Sequence, residues 1–214
     1  AVPASGAPAA PAAPRERFEV VTDVLRLSFD SEGGSLVRAE LLKHADLVDG
    51  KQNFVLLDES PQRVYVAQTG LIGAAGAVLP THKTPMTVSG DRTLKDGVNE
   101  LVIKFESADI GGVKLVKTYT LRRGSYDMGV RHEVFNNGTA SVSPQLYLQL
   151  VRDGNKPEGE SSFYSTFTGP AAYTEAKKYQ KVEFSDIEKG KADFEKQATN
   201  GYVAMVQHYF ATAW

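Results

Sequence analysis

The sequence predicts a large antiparallel β-sandwich. Apolar and polar residues alternate with a period of two from Phe18 onward, Gly, Asn and Asp punctuate the short alternating runs, and helical periodicity is thin. With 214 residues, 42% hydrophobic and 23% charged, the chain can bury a sizeable core.

The elements follow in order. Residues 1–17 read as a disordered Pro/Ala-rich tether: the first fourteen (AVPASGAPAAPAAP) offer nothing large to bury, and their prolines favour extended backbone. At roughly 3 Å per residue such a leader spans on the order of 40 Å. Residues 18–214 read as the folded domain. Leu25, Leu27 and Phe29 alternate with Arg26, Ser28 and Asp30, and after Gly33-Gly34 the pattern resumes with Val37, Ala39 and Leu41, which makes a first hairpin. Residues 70–85 (GLIGAAGAVLPTHKTP) lack any period and read as a long loop. Leu101, Ile103 and Phe105 face one way, a turn at Asp109 to Gly112 follows, and Leu115, Tyr119 and Leu121 return. The turn at Arg122 to Ser125 leads to a strand from Met128 to Phe135. Asn136-Asn137-Gly138 then suits a tight turn, because Asn-Gly tolerates positive φ, and predicts a hairpin with the run from Val142 to Val151. Asp153 to Ser162 reads as a charged loop. One or two short helices are expected between Ser185 and Gln197, with Ser185 or Asp186 as the cap. The final segment, GYVAMVQHYFATAW, is apolar on both alternating faces, which suggests a strand region within a larger folded unit.

Several function classes are disfavoured. A net charge of −2, with scattered Lys and Arg, leaves no basic footprint for nucleic acid. Cysteine is absent, which excludes disulfides, thiolate metal sites and a cysteine nucleophile. His44, His82, His132 and His208 are too dispersed for a helical zinc motif, so no metal or cofactor is expected, and His132 and His208 read as hydrogen-bonded structural residues. The glycines between Gly70 and Gly76 lack the spacing and the following Lys-Ser/Thr of a phosphate loop, and no serine occupies a Gly-x-Ser-x-Gly elbow. Asn137-Gly138-Thr139 matches a glycosylation sequon, but turn chemistry already accounts for its Asn and Gly.

The segment from Phe163 to Phe184 is unusual. Phe163, Tyr164, Phe167, Tyr173, Tyr179 and Phe184 crowd together with Lys177, Lys178 and Lys181, a mixture enriched at protein interfaces. The same pattern would arise from aromatics facing a core and lysines facing water.

Five segments in register resemble one family: VTDVLRL (Val21 to Leu27) with the Gly33-Gly34 turn, LDESPQRVYVAQTGL (Leu57 to Leu71), KTYTLRRG (Lys117 to Gly124), FTGPAAY (Phe167 to Tyr173), and Gly201 to Trp214. Together they are similar to the large periplasmic domain of the YidC membrane-protein insertase of Gram-negative bacteria. The resemblance implies a β-supersandwich of galactose-mutarotase-like type at the periplasmic face of the inner membrane. It also implies attachment through transmembrane helices outside this chain and a domain that extends beyond the position of Trp214. The implied role is non-catalytic: a monomeric head that assists membrane-protein insertion and folding by contacting the Sec translocon, its accessory subunits or nascent membrane proteins. The alternative is a carbohydrate-binding or mutarotase-like epimerase domain. That chemistry needs a histidine acid and a carboxylate base in one groove, for which His82 and His132 are the available acids.

Overall fold

The computed structural model describes residues 15–157 and 166–214. The leader's first fourteen residues and the stretch holding Phe163 and Tyr164 lie outside the described residues. What is described is mainly antiparallel β-structure in three sheets, with one short helix.

The first sheet runs β1 (Arg17–Val21), β2 (Leu25–Asp30), β3 (Ser35–Ala45), β4 (Asn53–Glu59), β5 (Val64–Ile72) and then β10 (Gln145–Arg152). The second runs β6 (Met86–Gly90), β7 (Glu100–Ser107), β8 (Val113–Arg122), β9 (Met128–Asn136). The third is ordered β12 (Lys178–Lys181), β11 (Gly169–Thr174), β13 (Gly201–Gln207), β14 (Phe210–Ala213). Inward-facing residues of the first two sheets make the core, as their period-two pattern requires. At its centre Phe18, Phe29, Phe105 and Tyr119 pack ring on ring, with centroids 4.8 to 6.2 Å apart. Gly34 (φ +58°) turns the chain against this cluster, where a Cβ would lie 2.8 Å from the Phe105 ring.

The β2–β3, β7–β8 and β8–β9 hairpins form with the phase expected from the sequence. Four expectations need correction. β9 and β10 do not pair: β9 closes the edge of the second sheet, while β10 crosses to the first and pairs β5 from Gln145↔Ile72 to Arg152↔Tyr65. The Asn-Gly turn instead pins that crossover onto the β7–β8 turn. Asn137 and Gly138 donate backbone N–H groups to Gly112 O, Asn137 Nδ2 reaches Asp109 Oδ1 at 2.7 Å, and Asn136 Nδ2 reaches Ala140 O. Neither Asn137 nor Gly138 takes the positive φ that the tight turn would use, and residues 138–140 form a bend that the Gly112 carbonyl holds in place.

Second, β5 extends through Ile72 into the glycine-rich segment, because its ladder with β10 satisfies that backbone. Third, the helical region reduces to α1 (Phe184–Glu188), whose N-cap is Glu183 without a side-chain cap, rather than Ser185 or Asp186. Gly190, at φ +65°, ends it, and the chain from Lys191 to Gln197 is not helical. Fourth, β1 starts at Arg17, inside the expected tether, where Arg15 and Arg17 pair with Asp30 and Glu59.

Candidate functional site

Two places merit examination as sites: the polar groups buried between the sheets, and the aromatic, basic face of the third sheet.

Between the sheets, β8 directs Leu115, Lys117, Tyr119 and Leu121 to the core, and Lys117 is fully buried among them. Its Nζ donates to Gly33 O at 2.6 Å and Thr69 O at 2.7 Å, and Tyr119 donates to Gly34 O at 2.8 Å. The carbonyls of the Gly33-Gly34 turn are thus satisfied from the opposite sheet. Lys117 escaped notice in the sequence, although its parity with Leu115 and Tyr119 was a sufficient signal. Its neighbour across the ladder, His132, places Nε2 2.8 Å from Thr69 Oγ1, and burial assisted by the Lys117 charge pushes its pKa down to about 4. The His82 Nδ1 lies 2.5 Å from the Tyr147 hydroxyl, which accepts from the His82 backbone N–H at 3.0 Å; burial lowers the His82 pKa. Gly70 permits this approach, since a Cβ there would stand 2.4 Å from the Tyr147 oxygen.

These groups are poorly arranged for epimerase chemistry. His132 is neutral at ordinary pH and held by a threonine, and neither it nor His82 hydrogen-bonds a carboxylate. Among the described residues no cluster of His, Asp and Glu could hold a metal ion. An apolar cleft of about 620 Å³ opens between the sheets beneath β14, lined by residues such as Leu25, Leu41, Leu57 and Leu150, with His44 and Asp127 also on its wall. There His44 packs against the rings of Tyr126 and Phe210, each 5.5 Å away.

The third sheet presents the other face. β11 brings Tyr173 directly opposite Tyr179 on β12 and Tyr202 on β13, so three tyrosines form a row across three strands. Tyr173 and Tyr202 stack with centroids 5.2 Å apart and planes within 6°. Tyr179 and Tyr202 are more than 40% exposed. The opposite face turns Met205 and Thr212 toward Tyr65 of β5, whose hydroxyl lies 2.6 Å from Thr212 Oγ1 and donates to Met205 O. Inward packing of Met205 and Thr212 is therefore what aims the tyrosine row at solvent.

Lys177, Lys178 and Lys181 are exposed around the row. Lys178 sits at φ +57°, pairs with Glu175 at 3.0 Å and stands 5.9 Å from the Tyr173 ring centre, while Lys181 stands 5.1 Å from that of Phe167. Phe184 opens α1 and packs against the core, and it lines a shallow recess together with Phe167 and Lys181. Tyr202, distant in sequence, was missed because only β11–β13 pairing brings it to the row. His208 lies in the β13–β14 turn, with Nδ1 2.7 Å from Thr166 Oγ1.

Aromatic and basic residues thus gather on one face of the third sheet, and comparison with known proteins gives the family. The family model of the YidC periplasmic domain matches residues 17–214. The chain belongs to this family. Relatives include the membrane protein insertase YidC of Bordetella avium, 55% identical over 215 residues, covering all of this chain and 37% of the relative. Those of Cupriavidus necator and Janthinobacterium are 50% and 47% identical, covering 99% and 93% of this chain and 38% and 35% of theirs. The chain thus spans little more than a third of the curated relatives it matches. As a member of the YidC periplasmic domain family, it is a non-catalytic module of the periplasmic side. No helix among the described residues is long and apolar enough to cross a membrane.

Proposed function

We propose that this chain is the accessory periplasmic head of an inner-membrane insertase and foldase, and that it assists insertion by docking partners on the outer face of its third sheet. The observation that carries the reading is the row of half-buried Tyr173 between exposed Tyr179 and Tyr202, with Lys177, Lys178 and Lys181 around it. Rigid aromatic area ordered by a sheet loses little entropy on binding, and lysines at the margin favour partners with acidic segments. The partners in this reading are the Sec translocon with its accessory subunits, or nascent membrane proteins. The names of the relatives support it, each a membrane protein insertase.

In the same reading the three sheets form part of a galactose-mutarotase-like β-supersandwich, the Pro/Ala-rich residues ahead of β1 tether it, and helices outside this chain anchor it as a monomeric unit. The test is co-purification of translocon components with the full-length insertase carrying Lys177, Lys178 and Lys181 all changed to Glu, together with a Tyr173→Ser, Tyr202→Ser variant. Weakened association in folded variants supports the docking face. Undiminished association in both sets refutes it.

A further inference from the structure

Lys117 occupies a core position on β8 between Leu115 and Tyr119. It is fully exposed to neither solvent nor cleft: its accessible surface is 0%, and its Nζ is held by Gly33 O and Thr69 O, both contributed by the opposite sheet. No carboxylate among the described residues pairs with it. The titratable groups around this junction are His132 on β9, His82 in the loop after β5, Tyr119 beside it on β8, Tyr147 on β10 and Glu32 in the β2–β3 turn. His132 and His82 both feel a Lys117 charge as repulsion, whereas Glu32 acts on His82. Tyr119 and Tyr147 are themselves kept protonated by burial.

Proton counting then separates two forms of the amine. An ammonium carries three protons and needs three acceptors, whereas a neutral amine carries two. Two carbonyls are supplied. A charged form would leave one donor unmatched and place an uncompensated cation in the core, the arrangement that folded proteins avoid most strongly.

We propose that Lys117 works as a neutral-amine pin between the two sheets, tying β8 to the Gly33-Gly34 turn and to β5, and that the fold is tightest when this amine is unprotonated. Burial holds its pKa down to about 7, against an ordinary 10.5. Between those values the unfolded chain binds a proton that the folded chain does not. Stability from this group therefore rises as pH climbs from 7 toward 10.5, is lost as pH falls back to 7, and changes no further below.

The test is urea unfolding of this chain between pH 7.5 and 9.5, a window above histidine titration and below that of tyrosine. The unfolding equilibrium constant of the wild type should fall by up to about tenfold per pH unit, the effect of one linked proton. Lys117→Met, which keeps the length but not the proton, should remove that dependence. The same slope in both proteins, or none in the wild type, overturns the proposal. Should Lys117→Met fail to fold, NMR titration of the wild-type Lys117 side chain decides: a midpoint near 7 upholds the pin, and one above 9.5 refutes it.

Discussion

Gly34 gives the sharpest test of how the core is built. Its φ of +58° costs an L side chain about 1 to 2 kcal/mol. A Cβ placed there would also stand 2.8 Å from Cγ and 3.1 Å from Cβ of Phe105, a residue with no exposed surface. These are the fixed root of the side chain, and the ring is wedged by Phe18, Phe29 and Tyr119, so it cannot swing aside. Overpacking of this kind adds about 1 to 3 kcal/mol. Loss of unfolded-chain entropy on replacing glycine offsets about 0.4 to 1 kcal/mol of the total. Gly34→Ala should therefore destabilise by about 2 to 4 kcal/mol, or roughly 4 to 16 °C in melting temperature for a chain of this size. Gly97 is the control: it shares a positive φ, +77°, but a Cβ there meets nothing within 4 Å. Gly97→Ala should carry the backbone strain alone and shift melting by only a few degrees. Thermal unfolding followed by circular dichroism compares them directly. Equal shifts for the two, or a Gly34→Ala shift below 2 °C, would refute the packing argument.

Other expectations follow from the same geometry. Ile103, 1% exposed between the facing sheets, becomes an unpaired charge in Ile103→Asp; about 1.5 to 3 kcal/mol of lost burial plus the desolvation penalty should abolish soluble expression or lower melting steeply, and an unaltered melting curve would contradict the strand phase. Tyr65→Phe removes the hydroxyl that joins β5 to Thr212 and Met205, at about 1 to 3 kcal/mol, and hydrogen exchange should quicken in β13 and β14 before the first sheet. His132, pushed down to about 4 by burial, binds its proton less readily in the fold than in the unfolded chain; its stabilisation is present above 6.5 and lost as pH falls toward 4. Proton NMR should show its ring unprotonated at pH 5.5, and a midpoint near 6.5 would mean that the ring is not buried beside Lys117.

The period-two runs specified strands, their inward faces and the local hairpins, because a pleated strand exposes alternate residues to opposite surroundings whatever its partners are. Leu101, Ile103 and Phe105 are buried as that rule demands. Five short segments in register also sufficed to identify the family, later matched across residues 17–214. Pairing between distant strands left no comparable trace. The Asn137-Gly138 bend serves a crossover rather than a hairpin, and the short helix covers only Phe184–Glu188 because little apolar periodicity supports a longer one. The candidate surface was half legible: composition drew attention to Tyr173, Tyr179 and the lysines, but Tyr202 joins them only through sheet assembly.

Local alternation and turn chemistry are properties of neighbouring residues, so the amino-acid order determined the β class, the core parity and the family of this protein by itself. Which strands meet, which tyrosines share a face, and that a lysine must find its acceptors on the opposite sheet depend on contacts between residues 48 and 84 positions apart. Those contacts exist only once the sheets have stacked, and only the tertiary structure could decide them.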